Sequence, residues 1–86
     1  MADILIYSKD YCPYCTKAKE LLKMKGETKF TEKDITHDAD GVQEMLDKTG
    51  GAKTVPQIFI NGTLVGGYDD LSKANSSGEL DKLLAG

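Results

Sequence analysis

The sequence predicts an α/β fold in which helices flank both faces of a four-stranded mixed sheet. Three observations support this prediction. A short apolar run, Ile4–Tyr7, is followed by a helical pattern that begins at Pro13. Asn61-Gly62, the strongest short hairpin signal, separates two later strand patterns. The length of 86 residues fits one compact domain, so we treat residues 1–86 as a single unit.

The first half of the chain predicts a βαβ unit with a parallel strand pair. Ile4–Tyr7 is expected as a buried strand because it is short and apolar throughout. Pro13 suits the first turn of a helix, where its missing N–H costs nothing, and Gly26 is a natural end for that helix. Residues 28–34 are expected as the second strand, in which Phe30 is the single large apolar residue.

A second helix is expected to follow that strand. Asp38 or Asp40 can cap its N-terminus, and Gly50-Gly51 ends it. Apolar residues recur along it at helical spacing; they are Val42, Met45 and Leu46.

The second half of the chain predicts a hairpin and two short helices. Gln57–Ile60 and Thr63–Gly66 are the antiparallel strands of the hairpin. Asp69 or Asp70 can cap a helix near Leu71–Asn75. Ser76, with Glu79 three residues later, forms a capping-box pattern for the last helix. The complete order of elements resembles the thioredoxin fold.

The charge distribution argues against nucleic acid as a partner. The formal net charge is -3, and all basic residues are lysines. Residues 8–33 carry seven lysines against four acids, a net charge of +3, whereas residues 34–86 carry four lysines against nine acids, a net charge of -5. The basic segment contains both cysteines, so its lysines either solvate a helix or create a positive potential around an anionic substrate.

The sequence predicts a cytoplasmic protein. The longest apolar run is too short to cross a bilayer, and the N-terminal residues lack the pattern of a signal peptide. In a reducing cytosol a CxxC pair is more often catalytic or metal-binding than structural.

Cys12 and Cys15 carry the predicted chemistry. Two intervening residues place both sulfurs about one helical turn apart, within the span of a reversible disulfide. Cys12 precedes Pro13 and is therefore expected at or just before the N-cap, where free backbone N–H groups and the helix dipole favour the reactive thiolate. Cys15 lies inside the first turn and is expected to be more buried. We expect Cys12 to be the nucleophile and Cys15 the resolving thiol.

Three other interpretations of the cysteines compete with this one. A zinc site needs about four ligands, and the chain offers two cysteines and His37, which we expect in a surface loop. A structural disulfide conflicts with a reducing compartment. Burial of both cysteines in the core conflicts with the position of Cys12 at a helix start.

Three motifs resemble those of the dithiol glutaredoxins, a resemblance that covers essentially the whole chain. The motifs are Cys12-Pro13-Tyr14-Cys15, Thr54-Val55-Pro56 and Gly66-Gly67-Tyr68-Asp69-Asp70, in the order and spacing of that family. Lys9, three residues before Cys12, also matches the family.

The resemblance implies a site for glutathione, which would act as reductant and co-substrate without a covalently bound cofactor or a metal. It implies a cis peptide bond at Pro56 and pairing of the extended Val55 with the cysteinyl part of glutathione. Asp69 and Asp70 would hold the γ-glutamyl end, and Lys9 and Lys53 would pair with the glycyl carboxylate. The implied glutathione-binding residues are Lys9, Tyr14, Lys53, Thr54, Val55, Pro56, Gly67, Asp69 and Asp70.

The resemblance also implies an activity: glutathione-dependent reduction of protein disulfides and of glutathione–protein mixed disulfides. Its partners would be glutathione and such proteins, with ribonucleotide reductase among the family's targets, and the chain would act as a monomer. Two alternatives stay open. One is a thioredoxin-type reductase recycled by a flavoenzyme, and the other is a dimeric scaffold holding a [2Fe–2S] cluster through Cys12 and glutathione.

Overall fold

The sheet has four strands in the order β2-β1-β3-β4, in a computed structural model that describes residues 3–27 and 29–85. β1 pairs with β2 in parallel, and the β1–β3 and β3–β4 pairs are antiparallel. The mixed sheet predicted from the sequence is therefore confirmed. The elements are β1 (Ile4–Ser8), α1 (Pro13–Met24), β2 (Thr31–Asp34), α2 (Ala39–Thr49), β3 (Gln57–Ile60), β4 (Thr63–Gly66), α3 (Tyr68–Ser77) and α4 (Glu79–Ala85).

Helices cover both faces of the sheet because successive side chains of a strand point to opposite faces. On one face, Ile4 and Ile6 of β1 belong to a buried cluster that includes residues of α1, α3 and α4. On the other face, Tyr7 of β1 belongs to a smaller cluster with Ile35 and with Met45 of α2. None of the helices in the described part of the chain is long and apolar enough to span a bilayer.

The second strand is shorter than predicted. It covers Thr31–Asp34 rather than residues 28–34, because pairing with β1 begins at Leu5 and Thr31. Phe30 precedes the strand and packs against the larger core cluster, so its hydrophobicity reflects burial and not strand membership. Residue 28 lies outside the described residues.

Local signals place several turns correctly. Asp38, not Asp40, is the N-cap of α2, and its carboxylate accepts the Gly41 N–H at 3.0 Å. Asn61 and Gly62 have φ values of 50° and 82°, as the type I′ hairpin requires.

The two C-terminal helices begin differently from the prediction. Gly67 is the N-cap of α3, and Asp70 lies at N3, where its carboxylate accepts the Gly67 N–H at 3.2 Å. The prediction that Asp69 or Asp70 is the N-cap is therefore wrong. Ser76 does not cap the last helix either, because α3 continues until Gly78 ends it in the left-handed conformation.

Candidate functional site

Cys12 is the N-cap of α1, as the position of Pro13 predicts. Its backbone is extended, with φ -102° and ψ 103°, and its Sγ accepts the Cys15 N–H at 3.1 Å. Cys15 is the third residue of the helix, so this is the usual N-cap bond between a side-chain acceptor and a free donor of the first turn. Cys12 is half-buried, whereas Cys15 is 2% exposed and belongs to the core. The two sulfurs therefore differ in their access to solvent.

The two cysteines are joined in a disulfide, with their Cα atoms 5.2 Å apart. That separation lies within the range that a disulfide accepts. One turn of helix thus brings the two sulfurs within bonding reach.

Hydrogen bonds connect the loop before Cys12 to the segment that follows β2. The Asp10 N–H donates to Thr36 Oγ1 at 2.9 Å. The Thr36 hydroxyl and N–H in turn donate to Asp34 Oδ1 at 2.5 and 2.9 Å. These bonds from Thr36 hold the pKa of the Asp34 carboxyl below its usual range. The sheet thereby fixes the approach of the chain to Cys12.

The peptide bond between Val55 and Pro56 is cis, as the resemblance implies. The Val55 carbonyl oxygen lies 3.7 Å from Cys12 Sγ, so this turn borders the cysteine pair. The Val55 side chain packs against the cluster of Tyr7, Ile35 and Met45. The backbone of Val55 is thereby held next to the half-buried sulfur.

A cleft of about 480 Å³ lies between this turn and the start of α3. It is lined by all the predicted glutathione-binding residues except Lys9 and Lys53: Tyr14, Thr54, Val55, Pro56, Gly67, Asp69 and Asp70. Residues from three separated parts of the sequence therefore meet around one concave surface.

The two predicted lysines lie outside this lining. Lys53 is exposed beside Thr54, and Lys9 is half-buried, with its carbonyl oxygen accepting the Cys12 N–H at 3.3 Å. Their pairing with a carboxylate stays a prediction.

The lining also contains four residues outside the predicted glutathione-binding set: Ala52, Gln57, Gly66 and Tyr68. The Tyr68 ring packs on the Tyr14 ring with centroids 5.9 Å apart, and Lys17 Nζ lies 5.2 Å from the Tyr14 centroid. Tyr68 could have been found from its place inside the glycine–aspartate motif. Gln57 could have been found as a polar residue heading an apolar strand.

The far end of the cleft is the N-terminus of α3. Gly66 has φ 115°, and a Cβ atom at this position would collide with the Asp70 carboxylate. The Asp70 carboxylate accepts the Gly67 N–H, and the N–H groups at a helix N-terminus favour an anionic ligand in general. In the described residues, no group of three His, Cys, Asp or Glu side chains could hold a metal ion.

The family model described as Glutaredoxin matches residues 4–65 of this chain. Glutaredoxin 3 of Escherichia coli (strain K12) is 48% identical over 84 residues, covering 98% of this chain and 99% of that protein. Glutaredoxin-C8 of Oryza sativa subsp. japonica is 44% identical over 85 residues, covering 95% of this chain. The chain spans 62% of the length of that rice protein.

A solved structure has the same fold. The crystal structure of a buckwheat glutaredoxin–glutathione complex superimposes with a TM-score of 0.85 at 30% sequence identity. The match covers 98% of this chain and 77% of the buckwheat chain.

Proposed function

This chain belongs to the glutaredoxin family, and we propose that it is a glutathione-dependent thiol–disulfide oxidoreductase acting through Cys12 and Cys15. The observation that carries the proposal is the position of the Cys12 sulfur. It lies at the N-terminus of α1, 3.7 Å from the Val55 carbonyl oxygen at the border of the cleft. Helix N-termini favour thiolates, and the thiolate is the form that attacks disulfides.

The first proposed reaction removes glutathione from a protein. The Cys12 thiolate attacks the glutathionyl sulfur of a mixed disulfide, and the substrate protein leaves as a thiolate. Cys12 then carries glutathione. The thiolate of a second glutathione attacks this bond, which releases oxidised glutathione and regenerates Cys12.

The second proposed reaction reduces a disulfide within a substrate protein. Cys12 attacks that disulfide and forms a mixed disulfide with the substrate. Cys15 then attacks Cys12, releasing the reduced substrate and closing the Cys12–Cys15 disulfide. Two molecules of glutathione afterwards reduce the pair and leave as oxidised glutathione.

The proposed position of glutathione follows from the lining of the cleft. Its cysteinyl part would pair with the Val55 backbone beside Cys12, in the manner of an added strand. Its γ-glutamyl end would reach the N–H groups at the start of α3 and the side chain of Asp69. Lys9 and Lys53 would pair with the glycyl carboxylate as simple charges. The buckwheat relative with the same fold was solved as a complex with glutathione, which supports glutathione as the ligand.

Two cysteine variants test the proposal in an assay coupled to glutathione and glutathione reductase. We expect Cys12→Ser to abolish both reactions. We expect Cys15→Ser to retain removal of glutathione from a glutathionylated protein and to lose reduction of an intramolecular disulfide. Equal loss of both reactions in the two variants would contradict the assignment of roles.

A third arm of the assay replaces glutathione with thioredoxin reductase and its reductant. We expect turnover with glutathione and little with the flavoenzyme, and the reverse result would favour the thioredoxin-type alternative. We also propose that the protein acts in the cytoplasm, because glutathione keeps thiols reduced there. Cell fractionation tests that location.

A further inference from the structure

Gln57 is a buried polar residue at the head of β3. Its side chain is 5% exposed, and among the described residues only Ser8 shares this combination of polarity and burial. A buried amide is destabilising unless its hydrogen-bonding groups find partners. Gln57 therefore depends on the contacts that its amide makes.

Both of those contacts go to one residue of the cleft. Gln57 Nε2 donates to the Thr54 carbonyl oxygen at 2.9 Å and to Thr54 Oγ1 at 3.3 Å. In the part of the chain that the structure describes, these are the hydrogen bonds that Thr54 makes. Thr54 is exposed and lies in the irregular segment between α2 and β3.

The amide thus joins a rigid element to an irregular one. The Gln57 backbone is held in the sheet, opposite Tyr7 of β1. The Thr54 carbonyl oxygen is turned inward onto the Gln57 amide, and the next residue, Val55, borders Cys12. Thr54, Val55 and Gln57 all line the same cleft.

We propose that Gln57 is a positioning residue that sets the affinity of the cleft for glutathione by holding the Thr54–Val55 backbone in its binding conformation. This inference rests on the proposed function. A ligand that pairs with the Val55 backbone depends on how that backbone is oriented. A small thiol that reaches only the Cys12 sulfur does not.

The experiment compares two mixed disulfides of Cys12 in a Cys15→Ser background, where Cys12 cannot close onto its neighbour. The protein is equilibrated with reduced and oxidised glutathione, and separately with 2-mercaptoethanol and its disulfide. Mass spectrometry gives the fraction of each mixed disulfide and hence two equilibrium constants. The ratio of the two constants measures the preference for glutathione. The intrinsic reactivity of the Cys12 sulfur affects both constants equally and therefore cancels.

Gln57→Met retains the length of the side chain and removes its donors. We expect this variant to lower the preference for glutathione about fivefold, an effect in the range expected when neutral hydrogen bonds are lost. Ser8→Ala is the matched control, because Ser8 is also polar and buried and its hydroxyl bonds to Glu32 outside the cleft. We expect its preference to equal that of the parent.

The outcomes separate this inference from the function on which it rests. If the Cys15→Ser protein shows no preference for glutathione, the proposed function is contradicted. If it shows a preference and Gln57→Met retains that preference in full, only the role of Gln57 is contradicted.

A second measurement uses the Cys15→Ser protein with Gln57 intact, so it tests the inference even if Gln57→Met fails to fold. In NMR spectra we expect the Gln57 side-chain amide signals to shift more when Cys12 carries glutathione than when it carries 2-mercaptoethanol. Equal shifts for the two adducts would overturn the inference.

Discussion

At the scale of single residues, the contrast between Cys12 and Cys15 comes from their positions around the start of one helix. Cys12 is half-buried at the N-cap and accepts a backbone N–H, whereas Cys15 faces the core in the first turn. The same sequence spacing that lets the sulfurs bond to each other gives them different environments. This asymmetry suits a pair in which one thiol attacks substrates and the other attacks its partner.

Gly66 gives a residue-level prediction about the cleft. We expect Gly66→Ala to destabilise the protein by about 1–2 kcal/mol, because its φ of 115° is strained for alanine and its Cβ would collide with the Asp70 carboxylate. Denaturant unfolding measures the change.

Gly67→Ala is the matched control for that substitution. The nearest atom to a Cβ at Gly67 is the Pro56 carbonyl oxygen at 3.5 Å, an ordinary contact. We expect a clearly smaller loss of stability than for Gly66→Ala. Equal losses would show that the left-handed backbone at Gly66 is not the cause.

At the scale of elements, β2 is an edge strand whose four residues are all exposed. Ion pairs attach it to helices on both faces of the sheet. Glu32 pairs with Lys19 of α1 at 2.9 Å, and Lys33 pairs with Glu44 of α2 at 2.7 Å.

Two hydroxyl groups of β1 donate to the same carboxylates: Ser8 donates to Glu32 and Tyr7 donates to Glu44. Burial and the bond to Glu44 raise the pKa of Tyr7, so its hydroxyl keeps its proton.

The Glu32 contacts predict a dependence of stability on pH. Hydrogen bonds from Lys19 and then Ser8 hold the pKa of the Glu32 carboxyl below its usual range. A carboxyl whose pKa is lower in the folded state stabilises the fold above its unfolded pKa, and it loses that effect as pH falls. We therefore expect the Glu32 contribution to decline as pH falls below about 4.3 toward the folded value.

Glu32→Gln checks this contribution by urea unfolding across that pH range. We expect the variant to be less stable than the parent at neutral pH, with the difference shrinking as pH falls. Asp81→Asn removes one partner of the exposed Lys25–Asp81 pair and should cause little change at any pH. A difference for Glu32→Gln that is constant with pH would contradict the account.

At the scale of the whole molecule, local signals predicted the arrangement of elements, and tertiary contacts decided the details. Pro13, Gly50 and Asn61-Gly62 each act on the backbone within a few residues, so the turns that they form could be predicted.

The start of α3 could not be predicted, because its N-cap is Gly67, which has no side chain. The carboxylate of Asp70 instead accepts the Gly67 N–H. The role of Gln57 was also hidden, since polarity in a strand does not reveal a partner across a turn.

The uneven charge distribution predicts an effect of salt on the reaction. The basic segment, residues 8–33, contains Cys12 and carries a net charge of +3, which should attract anionic oxidised glutathione. We expect the rate of its reaction with Cys12 to fall as ionic strength rises. The neutral disulfide of 2-mercaptoethanol is the control and should react at a nearly constant rate. Identical salt dependence for the two would exclude a role for the lysines in attracting the substrate.

The difference between the two thiols can be measured by alkylating the reduced protein with a limiting amount of iodoacetamide at mildly acidic pH, followed by peptide mass spectrometry. We expect the label on Cys12, because its sulfur is accessible and is stabilised as a thiolate at the start of α1. Preferential labelling of Cys15, or equal labelling of both cysteines, would contradict this expectation.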